Sequence, residues 1–304
     1  MMSLFVTRLP NVRSTDRLRR RLLPLLWHSQ HFCGRHTSLS FLVSLRSCPP
    51  HHSFQIMGPI KNIVVAIAME QEAKPFVEHL GLKEATADIF PPHVPFQAFT
   101  GAHGEANVTV VTNGKDAVYQ TGVDNCGTVP AALATFLALS KQPSDLLINA
   151  GTSGGFGRMG GQIGDVYLTS AVAHHDRRIP IPAFVPYGVG KLTSQLDVGK
   201  LAAALEFKTG TCTTGNSLDK TPEDDTHMLA NEAAVKDMEA AAIAWSCALH
   251  STPFLGMKVV TDIVDGDVPT QDEFLANLTA ASKSLQSALP KLLDHVVGKI
   301  LEEL

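Results

Sequence analysis

The chain has 304 residues, of which 44% are hydrophobic, and its formal net charge is −4. No run reaches the roughly 18 uninterrupted apolar residues that a membrane-spanning helix needs, so the sequence predicts a soluble protein with no membrane partner. This length allows either one large hydrophobic core or two small ones.

The charge is distributed unevenly. Residues 1–57 carry eight Arg, no Lys and a single acid, Asp16, which is a formal charge of +7, so the remaining residues carry −11. An acidic body argues against nucleic acid as the main partner.

The composition of residues 1–57, rich in Arg, containing Ser and poor in acids, is typical of an organelle transit peptide. Two alternatives remain open: an untranslated or disordered extension if translation starts at Met57, and a nucleic-acid-binding arm. A transit peptide predicts a mitochondrial or plastid location, and a start at Met57 predicts the cytoplasm.

From residue 62 onwards, apolar runs typical of strands alternate with helical patterns. Strands are predicted at 62–68, 107–112, 145–149, 166–169 and 254–260, and helices at 70–80, 128–139 and 239–249. The run NIVVAIA at 62–68 is almost wholly apolar, as in a strand buried on both faces. The alternation predicts one layered α/β domain over residues 60–304, with a mostly parallel or mixed sheet.

Polar residues follow three of these strands, where ligands bind in α/β folds. Glu72 follows the first strand, Thr152 follows the strand at 145–149, and Asp262 follows the strand at 254–260. A fourth segment, Lys236-Asp237-Met238-Glu239, is expected to open the Ala-rich helix. We expect these four segments to converge on one pocket.

Each segment also has an ordinary interpretation. Glu72 and Glu239 suit the positive end of a helix, and Asp262 precedes residues typical of a turn. It is their joint occurrence that favours a catalytic site.

Two further patterns are weaker. GFGRMG at 155–160 matches a dinucleotide fingerprint, but it leads into a loop and a strand where that motif requires a helix. His174-His175-Asp176 resembles a metal cluster, although neighbouring residues of an extended run face opposite ways. Cys126, Cys212 and Cys247 form no CxxC pair, which argues against a disulfide framework or a zinc site.

Seven runs, taken together, resemble the plant-type 5′-methylthioadenosine nucleosidases of the nucleoside phosphorylase superfamily. In chain order they are AIAMEQEA at 66–73, GTVPA at 127–131, INAGTSGGF at 148–156, HDRRIPIP at 175–182, YGVG at 187–190, KDMEA at 236–240 and KVVTDIVDGDVP at 258–269. The resemblance covers roughly residues 60–304. It implies an α/β/α sandwich around a twisted mixed sheet, a homodimer, and no metal or organic cofactor.

The resemblance also implies roles for individual residues. The water-activating glutamate corresponds to Glu72, and the aspartate that protonates the purine corresponds to Asp262. The substrate-binding positions fall on Met69, Thr152, Leu218, Asp219, Lys236, Asp237, Met238, Glu239 and Lys258. Ser153 and Lys115 stand where relatives often have other residues.

These residue types suit cleavage of a bond between ribose and adenine. An acid must neutralise the leaving base, so the pKa of Asp262 should be raised, and a carboxylate such as Glu72 must activate water. Glu239 can accept hydrogen bonds from both ribose hydroxyls, and Met238 offers an apolar floor to the sugar. The expected ligand is a small thionucleoside, 5′-methylthioadenosine and in addition S-adenosylhomocysteine if the 5′ pocket has room.

Two other functions compete with this one. A phosphorylase of the same fold needs cationic groups around phosphate, whereas Glu72 would repel it. A non-catalytic binding protein is expected to have lost a carboxylate, yet Glu72, Glu239 and Asp262 are all present.

The extension generates a first testable prediction. Residues 1–57 fused to a fluorescent reporter should direct it to mitochondria or plastids, because the segment is strongly basic and contains one acid. Microscopy with organelle markers measures this, and a reporter fused to residues 58–304 is the control. A diffuse cytosolic signal, with a native protein that begins at Met57, would contradict it.

Overall fold

The computed structural model describes residues 58–304, and the segment for which a transit peptide is predicted lies outside the described residues. The strands are β1 Asn62–Ile67, β2 Lys83–Glu84, β3 Gln97–His103, β4 Ala106–Thr112, β5 Leu146–Gly155, β6 Val166–His174, β7 Leu192–Thr193, β8 Lys208–Thr214, β9 Ala233–Asp237 and β10 Phe254–Ile263. The helices are α1 Glu70–Leu80, α2 Thr86–Ile89, α3 Thr128–Lys141, α4 Val185–Val189, α5 Val198–Leu205, α6 Pro222–Ala230, α7 Ala240–Leu249 and α8 Thr270–Val296. None of these helices is long and apolar enough to span a membrane.

Strand β5 is the centre of a mixed sheet with the order β10-β6-β8-β9-β5-β1-β4-β3-β2. It pairs in parallel with β1 through residues 146–149 and with β10 through residues 147–155. Strand β9 pairs antiparallel with the last two residues of β5, so that its end runs back along the end of β5. Because β10 also pairs with β6, the strands β5, β10, β6, β8 and β9 close into a ring.

The predicted three layers are confirmed. Ile63, Val65 and Ile67 of β1 face a core that includes α1, α5 and α8, whereas Val64 and Ala66 face a second core that includes α3 and α7. Successive side chains of a strand point to opposite faces, so β1 must be apolar on both.

Most predicted elements are confirmed, but four boundaries were wrong, and the first of them is the end of β6, which extends from the predicted residue 169 to His174. β5 extends to Gly155 and β10 to Ile263, so Thr152 and Asp262 lie inside strands and do not follow them. Lys236 and Asp237 end β9, and helix α7 begins only at Ala240. The sequence analysis also missed several elements, among them β3, β8, β9, α5, α6 and the 27-residue helix α8.

The GFGRMG run does not open an α-helix. A short 3-10 turn at Gly157–Met159 follows β5, and β6 comes next. Within residues 58–304, no group of His, Cys, Asp or Glu side chains is arranged to hold a metal ion. His175 instead lies within 3.2 Å of the Thr213 hydroxyl.

Candidate active site

Glu72 lies in the first turn of α1, and its side chain is buried against β5. Its Oε1 accepts two hydrogen bonds from Thr152, one from the backbone N–H at 2.7 Å and one from the hydroxyl at 2.6 Å. A Cβ at Gly151 would lie 3.5 Å from both carboxylate oxygens, so the acid packs directly on the strand backbone. Burial raises the pKa of Glu72, and the two bonds from Thr152 offset part of that rise.

The interpretation of a surface charge at a helix start suits Glu70 and not Glu72. Glu70 is exposed and lies 3.2 Å from the ammonium group of Lys115, whereas Glu72 is only 3% exposed. A carboxylate that is removed from water this completely needs partners, and Thr152 supplies them.

Asp262 lies near the end of β10, just after a register shift in the pairing of β10 with β5. Its Oδ1 accepts a hydrogen bond of 2.8 Å from the hydroxyl of Thr261. A Cβ at Gly154 of β5 would lie 2.8 Å from the other oxygen, Oδ2, so this glycine leaves the space that the carboxyl group occupies. Burial raises the pKa of Asp262, although the Thr261 bond and the charge of Lys236 lower it in part.

Glu239 is the N-cap residue of α7, but its side chain makes no capping hydrogen bond to that helix. Its Oε1 accepts a hydrogen bond of 2.8 Å from the backbone N–H of Gly127, which precedes α3. The N–H of Ala240, in the first turn of α7, donates instead to Asp237. Burial first, and the nearby charge of Asp237 second, raise the pKa of Glu239 to about 7.

Asp237 and Lys258 form an ion pair of 2.8 Å in which both side chains are fully buried. Asp237 also accepts hydrogen bonds from the Thr214 hydroxyl and from the Ala240 N–H. Burial alone would raise the pKa of Asp237, but the charge and hydrogen bond of Lys258 outweigh it, and the pKa is lowered. The pKa of Lys258 is raised, because the charge of Asp237 outweighs the effect of burial.

Lys236 holds the loop that follows β8. Its ammonium group donates to the carbonyls of Ser217 and Leu218, at 2.7 and 2.9 Å. Burial lowers the pKa of Lys236, although the charge of Asp262 favours the ammonium form. Leu218 is 41% exposed, and Asp219 beside it is exposed as well.

A cavity of about 50 Å³ lies between the ends of β5, β9 and β10. Six of the predicted residues line it, namely Thr152, Leu218, Lys236, Asp237, Met238 and Asp262. Glu72 adjoins it through Thr152. Glu239, Met69, Lys258 and Asp219 do not line the cavity, although Lys258 lies in β10 and Glu239 follows the end of β9.

Four lining residues were missed by the sequence analysis: Ser153, Gly154, Thr261 and Phe274. The double glycine at 154–155 inside a strand is the kind of signal that marks a close approach, and it could have identified Gly154. No local pattern identifies Phe274, because it lies on α8, one of the helices that were missed.

A cavity of about 490 Å³ lies nearby, between α3 and α7. Thr128, Asn216 and Trp245 are among its lining residues, and none of the three carboxylates Glu72, Glu239 and Asp262 is. The smaller cavity is therefore the candidate site, because Asp262 lines it and Glu72 adjoins it through Thr152.

Comparisons with known proteins identify the family of the chain. A family model described as the phosphorylase superfamily matches residues 62–294. A 5′-methylthioadenosine/S-adenosylhomocysteine nucleosidase of Arabidopsis thaliana is 43% identical over 246 residues, which are 81% of this chain and 96% of that protein.

Two solved structures are also similar. The apo structure of an Arabidopsis thaliana 5′-methylthioadenosine nucleosidase superimposes with a TM-score of 0.78 at 43% identity, covering 81% of this chain and all of that one. A nucleosidase from Colwellia psychrerythraea 34H in complex with adenine gives 0.64 at 26% identity, covering 81% and 99% of the two chains.

The raised pKa of Glu239 generates a prediction about stability. Between its ordinary value of 4.5 and about 7, the folded protein binds a proton that the unfolded chain has lost, so stability falls as the pH rises through this range. Glu239→Gln keeps an acceptor for Gly127 but cannot ionise. It should raise the free energy of unfolding by up to about 3 kcal/mol at about pH 8 and change it little at about pH 5.

Denaturant unfolding at the two pH values measures this difference. Glu302→Gln, at an exposed acid near the C-terminus, is the control and should alter neither value. The same stabilisation by Glu239→Gln at both pH values would contradict the shifted pKa.

Proposed function

The chain belongs to the phosphorylase superfamily. We propose that it hydrolyses the N-glycosidic bond of 5′-methylthioadenosine. The products are adenine and 5-methylthioribose. The two Arabidopsis thaliana nucleosidases with which it shares 43% identity support this substrate. S-adenosylhomocysteine has the same adenosine portion, and we propose it as a second substrate.

The observation that carries the proposal is the buried carboxylate of Glu72, bound by Thr152. Phosphorolysis requires cationic groups where phosphate enters, because phosphate is an anion. The charge of Lys258 acts on Glu72, but this cation is already paired with Asp237. An acid in this place repels phosphate and accepts a proton from water, so it favours hydrolysis.

Glu72 is the general base of the proposed mechanism. Both hydrogen bonds from Thr152 go to Oε1, and neither engages Oε2. That oxygen can therefore accept a hydrogen bond from water and take its proton as the water attacks the anomeric carbon. A raised pKa makes Glu72 a stronger base, which suits this task.

Asp262 is the general acid. Its raised pKa favours the protonated form, which can donate to N7 of the purine as the bond to the sugar breaks. Protonation of the purine matters because the leaving purine otherwise departs with a negative charge. Thr261 holds Oδ1, which leaves Oδ2 on the side of Gly154.

Glu239 binds the ribose. Gly127 occupies one of its oxygens, and the other can accept from the 2′- and 3′-hydroxyls. As the sugar becomes cationic in the transition state these hydrogen bonds strengthen, so they accelerate the reaction more than they tighten binding. Lys236 binds the carbonyls of Ser217 and Leu218, so the loop at 217–218 is preorganised beside the adenine of the substrate.

We also propose that the enzyme is a homodimer. Helices α3 and α7 pack together and leave large apolar side chains exposed on their outer face: Val129, Leu133, Phe136, Trp245 and Leu249. An apolar patch of this kind is typical of a protein interface. The cavity of about 490 Å³ opens on the same face, close to Gly127 and Glu239, so a second copy would adjoin the site.

Glu72→Gln tests the hydrolytic mechanism. The variant keeps the size of the side chain but cannot accept a proton, so kcat for adenine release should fall by about 10²–10⁴-fold, while KM changes less. Glu70→Gln, two residues earlier on the same helix, is the matched control and should behave as the wild type. Adenine release is followed with 5′-methylthioadenosine and, separately, with S-adenosylhomocysteine.

Inorganic phosphate is added to a parallel wild-type reaction. The rate should not increase, and the sugar product should be free 5-methylthioribose. Formation of the 1-phosphate would contradict hydrolysis. Adenine release by Glu72→Gln at the wild-type rate would contradict the role of Glu72 as the base.

The proposed dimer has its own test. Leu133→Glu combined with Trp245→Glu places two charges on the apolar face. In analytical ultracentrifugation, the mass of the sedimenting species should fall from that of a dimer to that of a monomer. Leu229→Glu, at an exposed leucine on α6, is the control and should remain dimeric. A wild-type protein that sediments as a monomer would overturn the proposal.

A further inference from the structure

Helix α8 contacts the backbone of β10 on both sides of Asp262. The N–H of Ile263 donates to Oε2 of Glu273 at 2.7 Å. The carbonyl of Thr261 accepts from Nδ2 of Asn277 at 2.9 Å. The residues before and after the proposed acid are thus bound by two side chains of one helix.

These two side chains belong to one rigid unit. Glu273 and Asn277 are four residues apart and therefore lie on the same face of α8. Nδ2 of Asn277 also donates to the carbonyl of Glu273 at 2.9 Å. Further along, α8 is anchored in the core by Leu285, Leu289 and Leu292, which are fully buried.

The sheet leaves this part of β10 without a strand on one edge. The pairing of β10 with β6 begins at Gly256 and ends at Val259. The register of β10 with β5 shifts between Val260 and Asp262. Backbone groups that are buried without a partner are costly, so the bonds from α8 complete the pairing where the strands do not. They also fix the direction in which the Asp262 side chain leaves the strand.

We propose that Glu273 and Asn277 are positioning residues for the general acid Asp262. This inference rests on the proposed function, in which Asp262 protonates the purine. A proton donor must lie within hydrogen-bond reach of the leaving atom, and a displacement of about 1 Å can cost on the order of 10²-fold in rate.

Charge gives Glu273 a second effect. Three influences act on Asp262 from its surroundings besides burial: the hydroxyl of Thr261, the ammonium group of Lys236 on β9, and the carboxylate of Glu273 on α8. The first two lower the pKa of Asp262, and Glu273 raises it. Removing the charge of Glu273 should therefore make Asp262 lose its proton at a lower pH, so the alkaline limb of the kcat profile should move down in pH.

The test compares two substrates and four variants. One substrate is 5′-methylthioadenosine, and the other is the 4-nitrophenyl glycoside of 5-methylthioribose, whose leaving group is a weak base that departs without protonation. The variants are Glu273→Ala, Glu273→Gln, Asn277→Ala and the control Asp272→Asn. Asp272 is an exposed acid of the same helical turn, so its change removes the same charge without touching β10.

Glu273→Ala and Asn277→Ala should each lower kcat for 5′-methylthioadenosine by about 10-fold or more, with little change for the nitrophenyl glycoside. Glu273→Gln keeps an acceptor for Ile263, so it should restore most of the rate while still moving the alkaline limb to lower pH. Asp272→Asn should match the wild type in all of these measurements. Thermal midpoints are recorded for every variant, and if Glu273→Ala does not fold, Glu273→Gln and Asn277→Ala decide the question.

Equal losses on both substrates would show that α8 only stabilises the fold. Wild-type behaviour of Glu273→Ala and Asn277→Ala would show that Asp262 needs no support from α8. Either result overturns this proposal, but the proposed function stays intact as long as the wild type releases adenine. Failure of the wild type to release adenine would instead overturn the proposed function.

Discussion

The site depends on the close approach of two carboxyl groups to the backbone of β5. Glu72 packs on Gly151 and Asp262 packs on Gly154. A side chain at Gly154 would overlap the carboxyl group of Asp262. Between them, Thr152 binds Glu72, and the Thr261 hydroxyl shares its one hydrogen between Asp262 at 2.8 Å and the carbonyl of Ser153 at 3.1 Å. A central strand is the least mobile support that the fold offers, so both groups are held without relying on a loop.

This arrangement places several acids in a space that holds one buried ion pair. Asp237 and Lys258 neutralise each other, whereas burial raises the pKa values of Glu72 and Glu239, and the charge of Asp237 adds to the rise at Glu239. Burying such groups costs stability, which a catalytic site can sustain when the surrounding core is large. Glu72 adds a negative charge where phosphate would have to enter, so this arrangement favours the hydrolysis that we propose.

The two faces of the sheet contribute differently. Helix α8, on one face, binds the backbone around Asp262, while α3 and α7, on the other, position Gly127 and Glu239. The outer surface of α3 and α7 is also the apolar face that we assign to the dimer. The proposed dimer contact and the proposed ribose site therefore share structural elements, whereas Glu273 and Asn277, which bind the backbone around Asp262, belong to the same chain.

The sequence alone determined the layered α/β class, the limits of β1 and α1 to within one residue, and the family, because these depend on local periodicity and on motifs of a few residues. It also identified Glu72, Glu239 and Asp262 as candidates. Only the tertiary structure decided that Asp237 binds Lys258 and α7, that Lys236 holds the loop at 217–218, and that Gly154, Phe274, Glu273 and Asn277 adjoin the acid. Partners such as Thr152 and Glu72 are 80 residues apart, and it is the order of the strands, set by packing over the whole chain, that brings them together.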